Sequence, residues 1–197
     1  MFLMPVQQLI DDRDWSTLTL GDRIRQIEVD GYVLIPNLLS ADEISALKQE
    51  TAQLETKAAD YSDHQQGARN IETKGGKLVE LIAHPVTTRF LHELFGDETI
   101  CMSYAFVRSS PGHPGVSLHT DGQPYGSEIF GCEGSCPWTV RALFYLDDLT
   151  PEVSPFRVIP RSHLCMHSDA NPYQRYEAHP EEVMVPAKGV TVESCVC

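Results

Sequence analysis

The chain has 197 residues, 42% of them apolar and 22% charged, which suits one soluble globular domain with a sizeable core. A formal charge of -13 with no long basic run argues against nucleic acid or anionic membrane as partners. No apolar run approaches the length of a membrane span, and residues 1–6 carry no positive charge before Asp11-Asp12-Arg13-Asp14. No membrane anchor or signal peptide is therefore expected, and the expected compartment is the cytoplasm. The six cysteines then read as buried thiols.

Leu20, Ile24 and Ile27 share one face of a predicted helix over 18–30, which Gly31 ends. Tyr32-Val33-Leu34-Ile35 is a short apolar strand closed by Pro36. Ser40-Ala41-Asp42-Glu43 has the spacing of a capping box. Ile44, Leu47, Leu54 and Ala58 continue it as a stripe, so a helix is expected from 41 to about 58. Residues 61–77 are polar and carry Gly67, Gly75 and Gly76, and read as a loop. Two helical pieces follow, over 78–83 and 86–95, with Pro85 suited to a first turn and Gly96 to a stop. His84 and His92 are expected at the surface or at helix ends.

After Gly96 the period changes. Ile100, Met102, Tyr104 and Phe106 alternate with their neighbours up to the turn Ser109-Ser110-Pro111-Gly112, a β pattern. Residues 123–137 read as a long loop, 140–146 as a central buried strand, and 156–159 as another strand. Val183-Met184-Val185 and Gly189-Val190-Thr191-Val192 close the set. Helices first and short strands later predict a mainly β fold with N-terminal helices, of jelly-roll or cupin type. No repeat, low-complexity tract or linker interrupts it. One domain over 1–197 is expected, helical to about 96 and β from about 97.

Within the β part lies Ser117-Leu118-His119-Thr120-Asp121-Gly122. In an extended chain, side chains two apart share a face, with Cα atoms roughly 6–7 Å apart. A neutral imidazole and a carboxylate at that spacing suit a non-haem Fe(II) site that keeps open positions. The plain alternative is a structural histidine beside a turn-starting aspartate. Another metal reading uses Cys132, Cys136, Cys195 and Cys197 as zinc thiolates, at spacings unusual for zinc. Arg141 sits among apolar residues on a predicted core strand, where a lone charge is costly and a carboxylate partner is needed. Arg108 is a second candidate for such a role. Tyr104, on the inward alternation with Met102, can offer a hydroxyl.

Four pieces in order resemble the phytanoyl-CoA dioxygenase family of Fe(II)- and 2-oxoglutarate-dependent oxygenases. They are Asp30-Gly31-Tyr32-Val33-Leu34-Ile35-Pro36 with Leu38-Leu39-Ser40, then Ser110-Pro111-Gly112 before His119-Thr120-Asp121, then the strand ending Leu146-Asp147-Asp148, and Phe156-Arg157-Val158-Ile159-Pro160-Arg161-Ser162-His163. The resemblance reaches to about Gly189. It implies a double-stranded β-helix, Fe(II) held by His119, Asp121 and a second histidine, 2-oxoglutarate bound through a late arginine, O2, and hydroxylation of a small organic substrate. The chain departs from the family pattern at its C-terminal end: no histidine or arginine follows His179. The expectation is therefore a family member truncated in its last strands, its cosubstrate carboxylate left to Arg141 and Tyr104. His163, His167 and His179 are the candidate replacement ligands, and His64 and His113 are expected in solvent. Arg161 replaces the family's usual Gly, and Val153-Ser154 its Asn-Gly. An open sheet edge left by missing strands implies self-association, unless residues 190–196 cover it. The alternative function is a catalytically inactive remnant or binding module of the same fold.

Overall fold

The computed structural model describes residues 9–59, 62–113, 115–116, 139–153, 156–164, 181–186 and 192–196. In chain order its elements are β1 (Leu9–Ile10), α1 (Leu20–Asp30), β2 (Tyr32–Ile35), α2 (Ala41–Ala52), β3 (Lys57–Ala59), β4 (Ser62–Arg69), α3 (Gly76–Ile82), α4 (Pro85–Phe95), β5 (Ala105–Ser109), β6 (Val140–Phe144), β7 (Phe156–Val158), β8 (Val183–Val185) and β9 (Val192–Val196). Single 3-10 turns lie at Trp15–Thr17, Ile71–Thr73, Pro151–Val153 and Ser162–Leu164. No helix among the described residues is long and apolar enough to cross a membrane.

The expected mainly β, jelly-roll double-stranded β-helix is not what these residues form. Among the described residues helix, 3-10 turns included, outweighs strand, and no sheet closes or curls into a barrel. The strands divide instead among three separate three-stranded sheets, β1-β8-β7, β2-β9-β6 and β3-β4-β5. A barrel closes only when its outer strands pair with each other, and the outer strands of these sheets do not. By contacts the chain divides into two compact units, one of residues 1–37 with 116–197 and one of residues 38–115.

In the first unit, Thr19 caps α1 through a capping box with Asp22, and Ile27 is fully buried. Gly31 ends the helix at φ 85 and returns its N–H to the Ile27 carbonyl at 2.9 Å. The left-handed conformation suits a residue without Cβ. All four residues of β2 are buried, and Tyr32 meets buried Trp15 edge-on at 5.8 Å. β9 runs antiparallel between β2 and β6, with Tyr32 opposite Cys195 and Phe144 opposite Val192. Residues 192–196 thus cover the edges of both neighbours, where the last strand was expected over 189–192. β6 is not the central buried strand expected over 140–146. It lies on the outside of its sheet, half-buried to exposed, and pairs with β9 rather than with the strand after Gly96. The strands β7 and β8 form where strands were expected and pair antiparallel, with Val158, Met184 and Val185 buried.

In the second unit the capping box at Ser40 forms: the Ser40 N–H donates to Glu43 at 2.8 Å and the Glu43 N–H to the Ser40 hydroxyl at 3.3 Å. The helix it starts ends at Ala52 rather than about 58, because residues 57–59 pair with β4. β4 itself occupies the stretch expected as a loop. Its residues are mostly polar and half-buried, and backbone ladders to β3 and β5 hold it. The Glu50 carboxylate accepts from the Lys77 and Leu78 amides at 2.8 and 3.0 Å, capping α3. Pro85 opens α4 and Gly96 closes it. Leu47, Ile71, Leu78, Leu81 and Phe90 make the core. The strand after Gly96 begins at Ala105, and Ile100 and Met102 are 85% and 69% exposed, so their alternation does not mark a buried face.

Ser40→Ala is expected to lose about 1 kcal/mol, the usual worth of an N-cap, read as a lowered urea midpoint. The Ser40 hydroxyl and amide hold the Glu43 carboxyl below its ordinary value of 4.5. A depressed carboxyl stabilises the fold above that value and stops doing so as pH falls through its folded pKa. The Ser40→Ala deficit should therefore shrink below pH 4.5.

Candidate metal and cosubstrate site

The pair His119 and Asp121 lies outside the described residues, as do His167, His179, Cys132, Cys136 and Cys197. Cys195 is described as part of the backbone of β9. The remaining candidates have definite surroundings.

Tyr104 precedes β5 and is half-buried, and its carbonyl accepts from the Ile71 amide at 3.4 Å. Burial pushes its phenol up to about 12, with Cys101 and Glu50 adding to the shift. The hydroxyl therefore keeps its proton at neutral pH and is a hydrogen-bond donor. Met102, expected to share its inward face, is exposed. Arg141 stands on β6 opposite Cys195 and is exposed rather than in the core. At an exposed position burial does not by itself impose the carboxylate partner that the sequence suggested. Arg108 is also exposed, with its guanidinium 5.9 Å from the Phe106 ring centre.

The histidines divide by role. His163 sits in the turn after β7, with Nε2 3.0 Å from the Glu28 carbonyl and its ring in the notch left by Gly31. That nitrogen is engaged with the end of α1, which leaves it poorly placed for a metal. His113 accepts from the Gly115 amide through Nδ1 at 3.1 Å, so the neutral ring carries its proton on Nε2. Burial, then the nearby His64, holds its pKa below 6.5. His64 is exposed, as expected, but His113 is half-buried. His84 occupies the N-cap position of α4 and His92 its last turn, 3.8 Å from Asp97. Among the described residues no three His, Cys, Asp or Glu side chains gather as a metal would need.

A cavity of about 140 Å³ opens in the second unit, lined by Leu39, Leu47 and Leu81 with Glu43, Lys77 and His84 among others. Small-molecule sites usually run to about 300–1,000 Å³, and none of the predicted ligands lines this one. It is a packing gap beside the α2 cap.

Two polar clusters have no warning in the sequence. Glu182, with its side chain 2% exposed, pairs with Arg157 at 3.1 Å between β7 and β8. Asp11 accepts from the Tyr32 hydroxyl at 2.7 Å and from Arg13 at 2.8 Å. Each joins residues far apart in sequence, and no local pattern marks such a pair.

The model of a family described as phytanoyl-CoA dioxygenase (PhyH) matches residues 27–192. No curated protein matches the chain in sequence. Among solved structures, HygX from Streptomyces hygroscopicus, with nickel, 2-oxoglutarate and hygromycin B bound, is similar at a TM-score of 0.69 and 18% identity, over 90% of this chain and 77% of that one. The epimerase SnoN, in complex with Fe3+, alpha ketoglutarate and nogalamycin RO, is similar at 0.64 and 17%, over 90% and 77%. The carbocyclase SnoK from nogalamycin biosynthesis is similar at 0.64 and 20%, over 93% and 76%. At these identities the likeness is one of fold.

Proposed function

The chain belongs to the phytanoyl-CoA dioxygenase family, and on that premise we propose that it is an Fe(II)- and 2-oxoglutarate-dependent dioxygenase that hydroxylates a small organic substrate. The observation that carries this reading is the family match over 27–192, which spans His119-Thr120-Asp121. An imidazole and a carboxylate are the donor chemistry that a non-haem iron takes. His119 would bind through a neutral ring nitrogen and Asp121 through a carboxylate oxygen. Iron held there would supply the chemistry that couples oxidation of 2-oxoglutarate by O2, to succinate and CO2, with oxygenation of the substrate. Arg141 would hold the far carboxylate of 2-oxoglutarate, and the protonated Tyr104 hydroxyl would donate a hydrogen bond. The epimerase and carbocyclase among the similar structures recommend testing outcomes other than hydroxylation as well. The same proposal takes residues 1–197 as one functional domain, cytoplasmic, without nucleic acid or membrane as partner.

A second reading rests on the sequence after His179, which holds no histidine or arginine. In that reading the chain is an inactive binding module of the family, in which none of His163, His167 and His179 serves as the third ligand. Removing even groups that only support a ligand costs about 10–100-fold in metal affinity. The expected result is therefore weak Fe(II) binding by equilibrium dialysis and slow succinate release, both abolished in His119→Ala. No metal bound and no succinate above the His119→Ala control would establish the second reading. Robust turnover insensitive to His119 would refute both.

A further inference from the structure

We propose that the end of α1 is fastened to the sheet β1-β8-β7 by a closed circuit of side-chain and backbone hydrogen bonds, and that the parts it joins open together as one unit. The circuit begins at Asp11, whose amide donates to the Met184 carbonyl of β8 at 2.9 Å. The Arg13 Nε donates to Asp11 at 2.8 Å and its Nη1 to Gln26 Oε1 at 2.8 Å. The Gln26 Nε2 then donates to Asp30 Oδ2 at 2.9 Å. Asp30 accepts twice more, from the Arg161 Nε at 3.3 Å and from the Arg161 amide at 2.9 Å through its backbone carbonyl. Arg161 lies just beyond β7, and β7 pairs with β8, which returns the path to Met184.

Each member has the polarity its place requires. Gln26 accepts from a cation on one side and donates to a carboxylate on the other, which neither Glu nor Lys can do. Asp30 uses three oxygens at the point where α1 ends in unsatisfied carbonyls. Arg161 holds φ 68, a conformation costly for a residue with Cβ, and its side chain and amide both reach Asp30 there.

The sheet needs such fastening. Its strands are two or three residues long, and sheets this short are not stable alone. Asp11–Arg13 holds β8 from one side and Arg161 holds β7 from the other, both ending on α1. The Tyr32 hydroxyl on Asp11 at 2.7 Å and His163 Nε2 at 3.0 Å from the Glu28 carbonyl lie beside these two ties, so releasing one tie loosens the hold of the sheet on α1 and weakens the other without detaching it.

The test is hydrogen exchange on the full chain, comparing wild type with Asp30→Ala and with Gln26→Leu, a milder cut in the middle of the circuit. The expected result is a common acceleration of about tenfold at the Asp11 amide, the β7–β8 ladder and the Arg161 amide, while the amides of α2 and α4 keep their rates. Acceleration at Arg161 alone in Asp30→Ala would overturn the proposal. So would a Gln26→Leu variant in which β7–β8 is unchanged, or one in which the α2 and α4 amides accelerate equally, since that is global unfolding. If Asp30→Ala does not fold, Gln26→Leu decides.

Discussion

Glu182→Ala is expected to destabilise the protein by about 1–3 kcal/mol, because it removes a buried charged acceptor from the partly exposed Arg157 guanidinium. The Glu182 side chain is 2% exposed and Arg157, at 3.1 Å, 24%. The pair bridges β7 and the residue before β8, where Val158 faces Val183. Whole domains are stable by about 5–15 kcal/mol, so this one change removes a large share. Glu182→Gln keeps the shape and an acceptor and should cost less. Pairing Glu182→Ala with Arg157→Met should recover much of the loss, since an apolar replacement of both charges is often neutral. The measurement is the urea midpoint at unchanged slope. A shift of Glu182→Ala within the roughly 0.5 kcal/mol of ordinary surface changes would show that the pair contributes little.

Gly31→Ala should cost about 2–3 kcal/mol, from two separate sources. A Cβ at φ 85 carries about 1–2 kcal/mol of backbone strain. The same Cβ would occupy the space of the His163 ring, and displacing that ring gives up its contact with the Glu28 carbonyl, worth about 1 kcal/mol. His163→Ala in the Gly31→Ala background separates the two. The double variant should lose less than the two single losses added, because the clash disappears with the ring. Strict additivity would mean that His163 does not press on Gly31.

What the sequence disclosed was what is local. Thr19 with Asp22 and Ser40 with Glu43 act within one turn, and both caps form. Tyr32–Ile35 is an unbroken apolar run between a helix-ending Gly and a Pro, and it is buried throughout. β4 was missed because its residues are polar: it is a strand by virtue of β3 and β5 on either side. Ile100 and Met102 misled in the opposite sense, since alternation marks a strand only where a core waits on one face. The arrangement of the strands into three sheets depends on pairings such as Tyr32 with Cys195, which no local pattern reports. Arg141 was legible as a strand residue, but not as an exposed one. The family was legible because its motifs stand in order along the chain, which no single motif would have carried. Asp11, Gln26 and Asp30 carry no motif, and only the fold brings them to Arg161.

The place of β9 has a consequence for how the protein is made. It is the last strand among the described residues, yet it lies at the middle of its sheet, between β2 and β6. On a ribosome, β2 emerges early and waits for a partner that is made much later, since Tyr32 pairs with Cys195. Pairings between such distant residues are slow to form, because chain entropy is lost before any contact compensates for it. During that wait the apolar Tyr32–Ile35 segment presents an open edge that another chain can pair with. A nascent-chain holdase that masks residues 32–35 until 192–196 are released should raise the soluble yield, whereas one acting on the finished protein should not.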